Sequence, residues 1–389
     1  MDQPARETHK LHQIEGLRGY LALCVLLSHV VATTGYDRPA GAFMYLIRMS
    51  GPLAVQCFMI ISGFVIFLLI DTRKEPYRQY ITRRFFRIFP VYILLFLLAI
   101  FTFAAWEKVY LKSSELGWFT PQETHSFANN TAVLWSNLWL HIPLHLTMLH
   151  GIMPSAVLPD SSTAFLGPAW SLSLEWQFYL LAPVWYCLAT SKALWKQALM
   201  YIVILFSILG SKRFLPAIDQ GAALPFFVEY FYCGAVFYFL YKKLAVQKNL
   251  GPVLFPAVFI LCTMLFKASG KALELLPIIV WALLFALIIE PPQSIWSRYV
   301  SPIFSNQFSV WIGKISFSIY LSHPLVIIAS KWLLLSAWPD LSQINHLLAL
   351  GVMTTIGTLL FSALLYYFIE APFIKFGASI SNRLAIQKP

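Results

Sequence analysis

Two polar residues on the first apolar segment, Arg18 and His29, have the types and the spacing that chemistry inside a membrane would require. They lie eleven residues apart, and at about 100° per residue eleven steps return to within about 20° of the starting direction, so both side chains share one face of a helix. The rise between them is about 16 Å, which puts Arg18 at the cytosolic mouth and His29 near mid-bilayer or slightly beyond. Histidine exchanges protons near pH 7, as acyl transfer to a hydroxyl requires. The alternative is that His29 is a packed polar residue without a catalytic role.

A short basic run carries three arginines, Arg83, Arg84 and Arg87, where the third apolar segment leaves the cytosol. Arginine makes paired hydrogen bonds to phosphate oxygens. Either Arg84 and Arg87 or Arg83 and Arg87 can share a helix face at this spacing. The run predicts a site for a phosphate-rich ligand such as coenzyme A; the alternative is ordinary anchoring at the cytosolic membrane surface.

Two further polar groups lie within apolar segments, where a charge or an imidazole is costly. Glu175 stands about one turn into a helix that opens with Trp170, and we expect both to contribute to an acceptor pocket; the alternative is an acid favoured by the helix N-terminus beside an interfacial tryptophan. His323, with Ser316 earlier on the same segment, predicts a cavity near mid-bilayer, since Pro324 favours a kink there. The alternative is hydrogen bonding between helices.

The elements that must position these residues are membrane helices. Of 389 residues, 59% are hydrophobic and only 12% are charged, about half the charge of a soluble domain. The net charge of +11 fits loops that face the cytosol and anionic lipid, and nucleic acid is not expected as a partner. The five cysteines lie in apolar segments without metal-ligand spacing, so we expect no metal.

The apolar segments predict an all-α, polytopic bundle of about ten spans filling one domain, with both termini cytosolic. This arrangement places most of the 28 Lys and Arg residues on the cytosolic side. The segment 106–171 is then an outer region, with a re-entrant or interfacial helix near 133–150. The predicted spans lie near 17–35, 52–70, 88–105, 172–190, 197–210, 224–241, 251–267, 273–290, 311–335 and 346–369.

Together these segments resemble the acyltransferase-3 family of membrane acyltransferases, in the order of that family's motifs. The resemblance runs from Gly16 to Pro372. It rests on Arg18 with His29, the FMIISGFV segment at 58–65, the RRFFRIFP segment at 83–90, WSL with Glu175 and Phe178–Tyr179, SFSIYL with His323–Pro324, and YFIEAP at 367–372. One departure is Glu15, where an aspartate is common.

The resemblance implies an O-acyltransferase with acyl-CoA, most commonly acetyl-CoA, as co-substrate. It implies that Arg18, His29, Arg84 and Arg87 are needed, and that the acceptor is a hydroxyl of a sugar, a cell-surface polysaccharide, a lipid-linked glycan or a natural product. Relatives modify polysaccharides, peptidoglycan, nodulation factors or macrolides. The expected location is the cell membrane, as a multi-pass protein among membrane lipids; in a Gram-negative cell it is the inner membrane.

The expected mechanism places the CoA phosphates on Arg84 and Arg87, with the pantetheine arm along the Arg18–His29 face. His29 deprotonates an acceptor hydroxyl that enters past Glu175, or alternatively carries the acyl group covalently. The rival function is a non-enzymatic transporter or flippase of a glycan or lipid intermediate, which midplane polar residues and a kinked helix suit equally. A scaffolding subunit would leave the Arg18–His29 spacing unexplained.

Overall fold

The protein folds into a bundle of helices. The computed structural model describes residues 3–36, 41–154, 157–214, 222–246, 275–289 and 298–386. Within those ranges every regular element is helical, so the predicted all-α class is confirmed. The span expected near 251–267 lies outside the described residues.

Fourteen α-helices are described, and three single-turn helices at His150–Ile152, Leu224–Phe226 and Tyr366–Glu370 join some of them, the last being a π-turn. In chain order the α-helices are α1 (Gln3–Thr34), α2 (Gly41–Arg73), α3 (Tyr77–Glu115), α4 (Pro121–Ser136), α5 (Leu138–Leu146), α6 (Ala169–Ala189), α7 (Leu194–Phe214), α8 (Val228–Val246), α9 (Leu276–Ile289), α10 (Ser301–Ser305), α11 (Gln307–Lys314), α12 (Ser316–Ala337), α13 (Gln343–Leu365) and α14 (Ala371–Ile386).

Five helical stretches of the described chain are long and apolar enough to cross a membrane, and two shorter apolar helices accompany them. The five correspond to the predicted first, second, third, ninth and tenth spans. The count of ten spans and the cytosolic placement of the termini remain predictions. The five stretches are His12–Thr34, Gly41–Arg73, Tyr77–Glu115, Ser316–Ala337 and Gln343–Leu384; the shorter two are Leu194–Gly210 and Leu276–Ile289.

Glycines let pairs of helices pack with their backbones almost in contact. A Cβ added to Gly63 of α2 would lie 2.0 Å from the Phe231 carbonyl oxygen of α8, and one added to Gly234 of α8 would lie 1.9 Å from the Ile60 carbonyl oxygen of α2. Small residues serve this purpose in membrane bundles because close backbone approach gives the tightest packing. The crossing of α2 with α8 therefore depends on two glycines, one from each helix.

The same device holds α1, which carries Arg18 and His29, against α11. A Cβ on Gly313 would lie 2.1 Å from the Glu15 carbonyl oxygen, and one on Gly19 would meet Ile312 at 2.8 Å. At its C-terminal end α1 is capped by side chains, since Lys331 donates to the Thr33 carbonyl and Gln343 donates to the Thr34 carbonyl at 2.7 Å. Neighbouring helices thus hold α1 at its middle and at its C-terminal end.

The segment 106–171, which the sequence predicts to lie outside, packs three histidines into its interior. His141, His145 and His150 are fully buried, and the rings of His145 and His150 stack in parallel with centroids 4.1 Å apart. The Tyr92 hydroxyl lies 3.0 Å from Nδ1 of His145. Burial lowers the pKa of His145 well below its ordinary value and the pKa of His150 to about 4, so both rings pack as uncharged groups at neutral pH.

Candidate active site

Two cavities lie along α1, and each contains one of the two residues singled out on that helix. The first, which we call the arginine cavity, contains Arg18, Arg84 and Arg87 in its wall and has about 860 Å³ of empty space, part of it open to the exterior. It lies among α1, α2, α3, α6, α8 and α12. The mixture of apolar and charged lining is typical of a small-molecule site.

Two guanidinium groups of the arginine cavity are available to a ligand. Arg18 and Arg84 make no hydrogen bond or ion pair with any other residue that the structure describes, and Nε of Arg84 is buried without a partner. The Arg84 guanidinium lies 5.7 Å from the centre of the Tyr179 ring, which supports a cation without neutralising it. Two such groups in one cavity favour a multiply charged anion.

Arg87 is held in place by Glu370, an acid of the YFIEAP segment to which the sequence alone assigned no role. Its Nη1 lies 2.6 Å from Oε1 of Glu370, whose side chain is fully buried. Ser318 donates to the other oxygen of Glu370 at 2.7 Å. A carboxylate inside an apolar helix indicates either a functional residue or a buried ion-pair partner. The same argument could have identified Glu370 from the sequence.

Glu175 and Ser316 also line the arginine cavity. Glu175 accepts hydrogen bonds from Ser62 at 2.8 Å and from Tyr179 at 2.5 Å. The Ser316 hydroxyl is buried without a partner. Glu175, expected near the acceptor, is therefore placed among the arginines, and Ser62 and Tyr179, which orient it, were not foreseen from the sequence.

Three residues of the expected site, Arg83, Trp170 and His323, lie outside both cavity walls. Arg83 is bound by Glu75, whose Oε2 is 2.9 Å from Nε, and by Asn382, whose Oδ1 is 2.7 Å from Nη2. Of the two arginine pairs that the spacing allowed, the structure brings Arg84 and Arg87 together. Trp170 packs on Phe227, with ring centroids 5.4 Å apart.

The second cavity, which we call the histidine cavity, has about 750 Å³ of empty space, part of it open to the exterior, and has His29 in its wall. Its lining comes from α1, α3, α12 and the segment 163–168, and it includes no charged side chain. The His29 side chain is exposed rather than enclosed by protein, and the ring is open to this cavity. His29 is thus accessible to a small molecule.

His29 and His323 form a pair across α1 and α12. Nδ1 of His29 lies 2.9 Å from the Val25 carbonyl and 3.3 Å from Nε2 of His323, and Nδ1 of His323 lies 3.2 Å from the Ile319 carbonyl. Carbonyl oxygens only accept, so both Nδ1 atoms carry protons; the Nδ1 proton of His29 is bonded to Val25 and is shared with the more distant Nε2 of His323. This leaves Nε2 of His29 with a free lone pair, which is the state of a general base.

The arrangement can bind an anion at one end of α1 and accept a proton at the other. Among the residues that the structure describes, no three His, Cys, Asp or Glu side chains gather as they would around a metal ion. The chemistry that His29 and the arginines offer is general-base transfer supported by the arginines.

Comparison with known proteins identifies the family. The family model described as "Acyltransferase domain" matches residues 11–367. Acyltransferase MdmB of Streptomyces mycarofaciens is 29% identical over 180 residues, which are 46% of this chain and 39% of MdmB. Peptidoglycan O-acetyltransferase OatA of Listeria monocytogenes is 24% identical over 94% of this chain and 56% of its own length.

The chain thus spans well under two thirds of the curated relatives it matches. No solved structure gives a significant match. The family match covers Arg18, His29, the arginine run, Glu175 and His323 in one continuous stretch. This chain belongs to the acyltransferase-3 family.

Proposed function

We propose that this protein transfers an acyl group, acetyl in the first instance, from a cytosolic acyl-CoA to a hydroxyl of a sugar, a cell-surface polysaccharide or a natural product. The observation that carries the proposal is the division of α1 between two cavities, with an unpaired Arg18 in one and the His29 base in the other. The names of OatA, a peptidoglycan O-acetyltransferase, and of MdmB, an acyltransferase, support this class of reaction.

The donor site is the arginine cavity. Coenzyme A carries a pyrophosphate and a 3′-phosphate, and the free forks of Arg18 and Arg84 match such groups. Glu370 holds Arg87 at the cavity wall through their ion pair. The rise from Arg18 to His29, about 16 Å along the helix, is of the same order as the reach of a pantetheine arm, so the thioester would arrive near the histidine pair.

The acyl transfer occurs at Nε2 of His29. This atom accepts the proton of the acceptor hydroxyl as the oxygen attacks the thioester carbonyl carbon; the carbon–sulfur bond breaks, and the imidazolium returns the proton to the thiolate. The Val25 carbonyl, 2.9 Å from Nδ1 of His29, keeps the proton on that nitrogen and so fixes the tautomer, and His323 lies 3.3 Å from the same nitrogen. An acetyl-histidine intermediate is the covalent variant of the same scheme.

His29→Gln tests the proposal directly. Purified protein in nanodiscs, given labelled acetyl-CoA and acceptor, should lose transfer by about 100-fold or more, the usual contribution of a general base, while acetyl-CoA still binds. The control is His125→Gln, an exposed histidine on α4 outside both cavities. Full activity in His29→Gln would remove this residue from the chemistry.

Two further readouts separate the remaining alternatives. Label that stays on the wild-type protein without acceptor, and is lost in His29→Gln, identifies the covalent variant. A transporter or flippase has no need of acyl-CoA, so wild-type protein that releases no free thiol from acetyl-CoA with a range of hydroxyl acceptors would favour that class over the enzyme.

A further inference from the structure

A hydrogen-bonded tyrosine stands between the two cavities. Tyr320 and Ser171 line the arginine cavity, whereas Pro168 lines the histidine cavity. The Tyr320 hydroxyl donates to the Pro168 carbonyl at 3.0 Å. The Ser171 hydroxyl lies 2.7 Å from the Tyr320 oxygen and 3.2 Å from the same Pro168 carbonyl, so the three groups form one hydrogen-bonded cluster. Tyr320 is 6% exposed.

Tyr320 and its hydrogen-bond partners lie on the path that a thioester would follow from the arginine cavity to the histidine cavity. Tyr320 is three residues before His323 on α12, so both side chains lie on neighbouring positions of that helix, with ring centroids 6.3 Å apart. His323 in turn contacts His29. A pantetheine arm that extends from Arg18 to His29 therefore meets Tyr320 before it meets the histidine pair.

The helix around Tyr320 has one hydrogen bond fewer than a regular helix. Pro324, four residues later, has no N–H to donate to the Tyr320 carbonyl. The hydroxyl holds the side chain to α6 only through Pro168 and Ser171, at the first turn of that helix. Tyr320 is thus held by hydrogen bonds that can break, on a helix turn that Pro324 weakens.

We propose that Tyr320, hydrogen-bonded to Pro168, is a gate that separates the arginine cavity from the histidine cavity until the acyl thioester displaces the tyrosine side chain. The inference rests on the proposed function. In the closed state, water in the histidine cavity does not reach a bound thioester. With the gate open and no acceptor present, water adds to the thioester carbonyl, the carbon–sulfur bond breaks, and the products are the free acid and the CoA thiol, with His29 carrying the proton from water to sulfur.

Tyr320→Phe tests the gate because it keeps the ring and removes the hydroxyl. Acceptor-free thiol release from acetyl-CoA should rise about tenfold over the wild type, the population change expected when one ordinary hydrogen bond that favours the closed state is lost. Ser171→Ala, which removes the hydrogen bond between Ser171 and Tyr320, should also raise acceptor-free thiol release. It replaces Tyr320→Phe as the test if that variant fails to fold. The matched control is Tyr20→Phe, whose hydroxyl donates to the Ile303 carbonyl at 3.0 Å outside both cavities.

The outcomes separate the gate from the proposed function. Wild-type protein that transfers acetyl to an acceptor, with Tyr320→Phe and Ser171→Ala leaking no more than Tyr20→Phe, overturns the gate and leaves the function standing. Loss of transfer and hydrolysis together in Tyr320→Phe, with acetyl-CoA still bound, assigns Tyr320 to the chemistry and also overturns the gate. Wild-type protein without any thiol release under all conditions overturns the function itself.

Discussion

Neighbouring arginines on α3 have different surroundings, and this difference predicts different effects of the same substitution. Arg84 lies in the wall of the arginine cavity without an acid partner among the described residues, whereas Arg83 is bound by Glu75 and Asn382. Arg84→Gln should raise the apparent KM for acetyl-CoA about tenfold or more, since a hydrogen bond to a charged group contributes about 1.5–3 kcal/mol. Arg83→Gln is the control and should change this KM little. Steady-state kinetics of thiol release measures both.

Equal effects of the two substitutions would contradict this assignment. If neither variant changes the KM, the arginine run serves only to anchor α3 at the membrane surface. If Arg83→Gln has the larger effect, the donor binds on the other face of α3, where Glu75 lies.

The sequence identified the residue types of the site better than their partners. Arg18, His29, Arg84, Arg87, Glu175, Ser316 and His323 all lie in or beside the two cavities. Which of Arg83 and Arg84 faces the cavity was left open, because both pair with Arg87 at helical spacing. The contact between His29 and His323 joins residues far apart in the chain, and one sequence holds no signal for such a pair.

At the scale of helices, the two-glycine crossing of α2 with α8 should be intolerant of a single methyl group. Gly234→Ala places a Cβ 1.9 Å from the Ile60 carbonyl oxygen, so the helices must separate, at a cost of about 1–3 kcal/mol or more. Gly351→Ala on α13 is the control, because its Cβ meets no atom within 4 Å, and alanine favours a helix by about 0.5–1 kcal/mol. The thermal midpoint in detergent should fall for the first and stay or rise for the second.

The same midpoint for both alanine variants would mean that α8 does not pack on α2 at this position. The assembly of the arginine cavity would then need a different account, since Phe231 of α8 and Ser62 of α2 both line it.

Hydropathy located the helices but not their ends. The first three predicted spans are confirmed as helices, yet α1 begins at Gln3, α2 at Gly41 and α3 at Tyr77. Helices continue past the apolar stretch because backbone hydrogen bonding needs no apolar side chain, whereas a hydropathy window detects only the apolar part. The predicted ninth span begins inside α11 and not at the start of α12. The helix break at Ile315 lies within a continuous apolar pattern, so hydropathy does not detect it.

At the scale of the whole molecule, the proposed function requires that the two cavities face opposite compartments. The arginine cavity includes Arg84 and Arg87 from the start of α3, and Arg73, Lys74 and Arg78 lie at or beside the connection from α2 to α3. Basic connections remain in the cytosol. The histidine cavity takes part of its wall from the segment 163–168, at the end of the region predicted to lie outside. In the proposed orientation the arginines face cytosolic CoA and His29 faces an outer acceptor.

Cysteine labelling tests that orientation. In a variant without the five natural cysteines, Gln122→Cys in α4 should react with a membrane-impermeant thiol reagent in intact cells, while Thr72→Cys, in the last turn of α2, and Ser379→Cys in α14 should react only after the membrane is permeabilised. All three positions are exposed, so access to the reagent is set by the membrane. Labelling of Ser379→Cys from outside, with Thr72→Cys protected, would leave an odd number of crossings between them and refute ten spans. Labelling of Thr72→Cys from outside would put the arginine cavity on the wrong side for cytosolic acyl-CoA, and the donor site would have to be sought elsewhere.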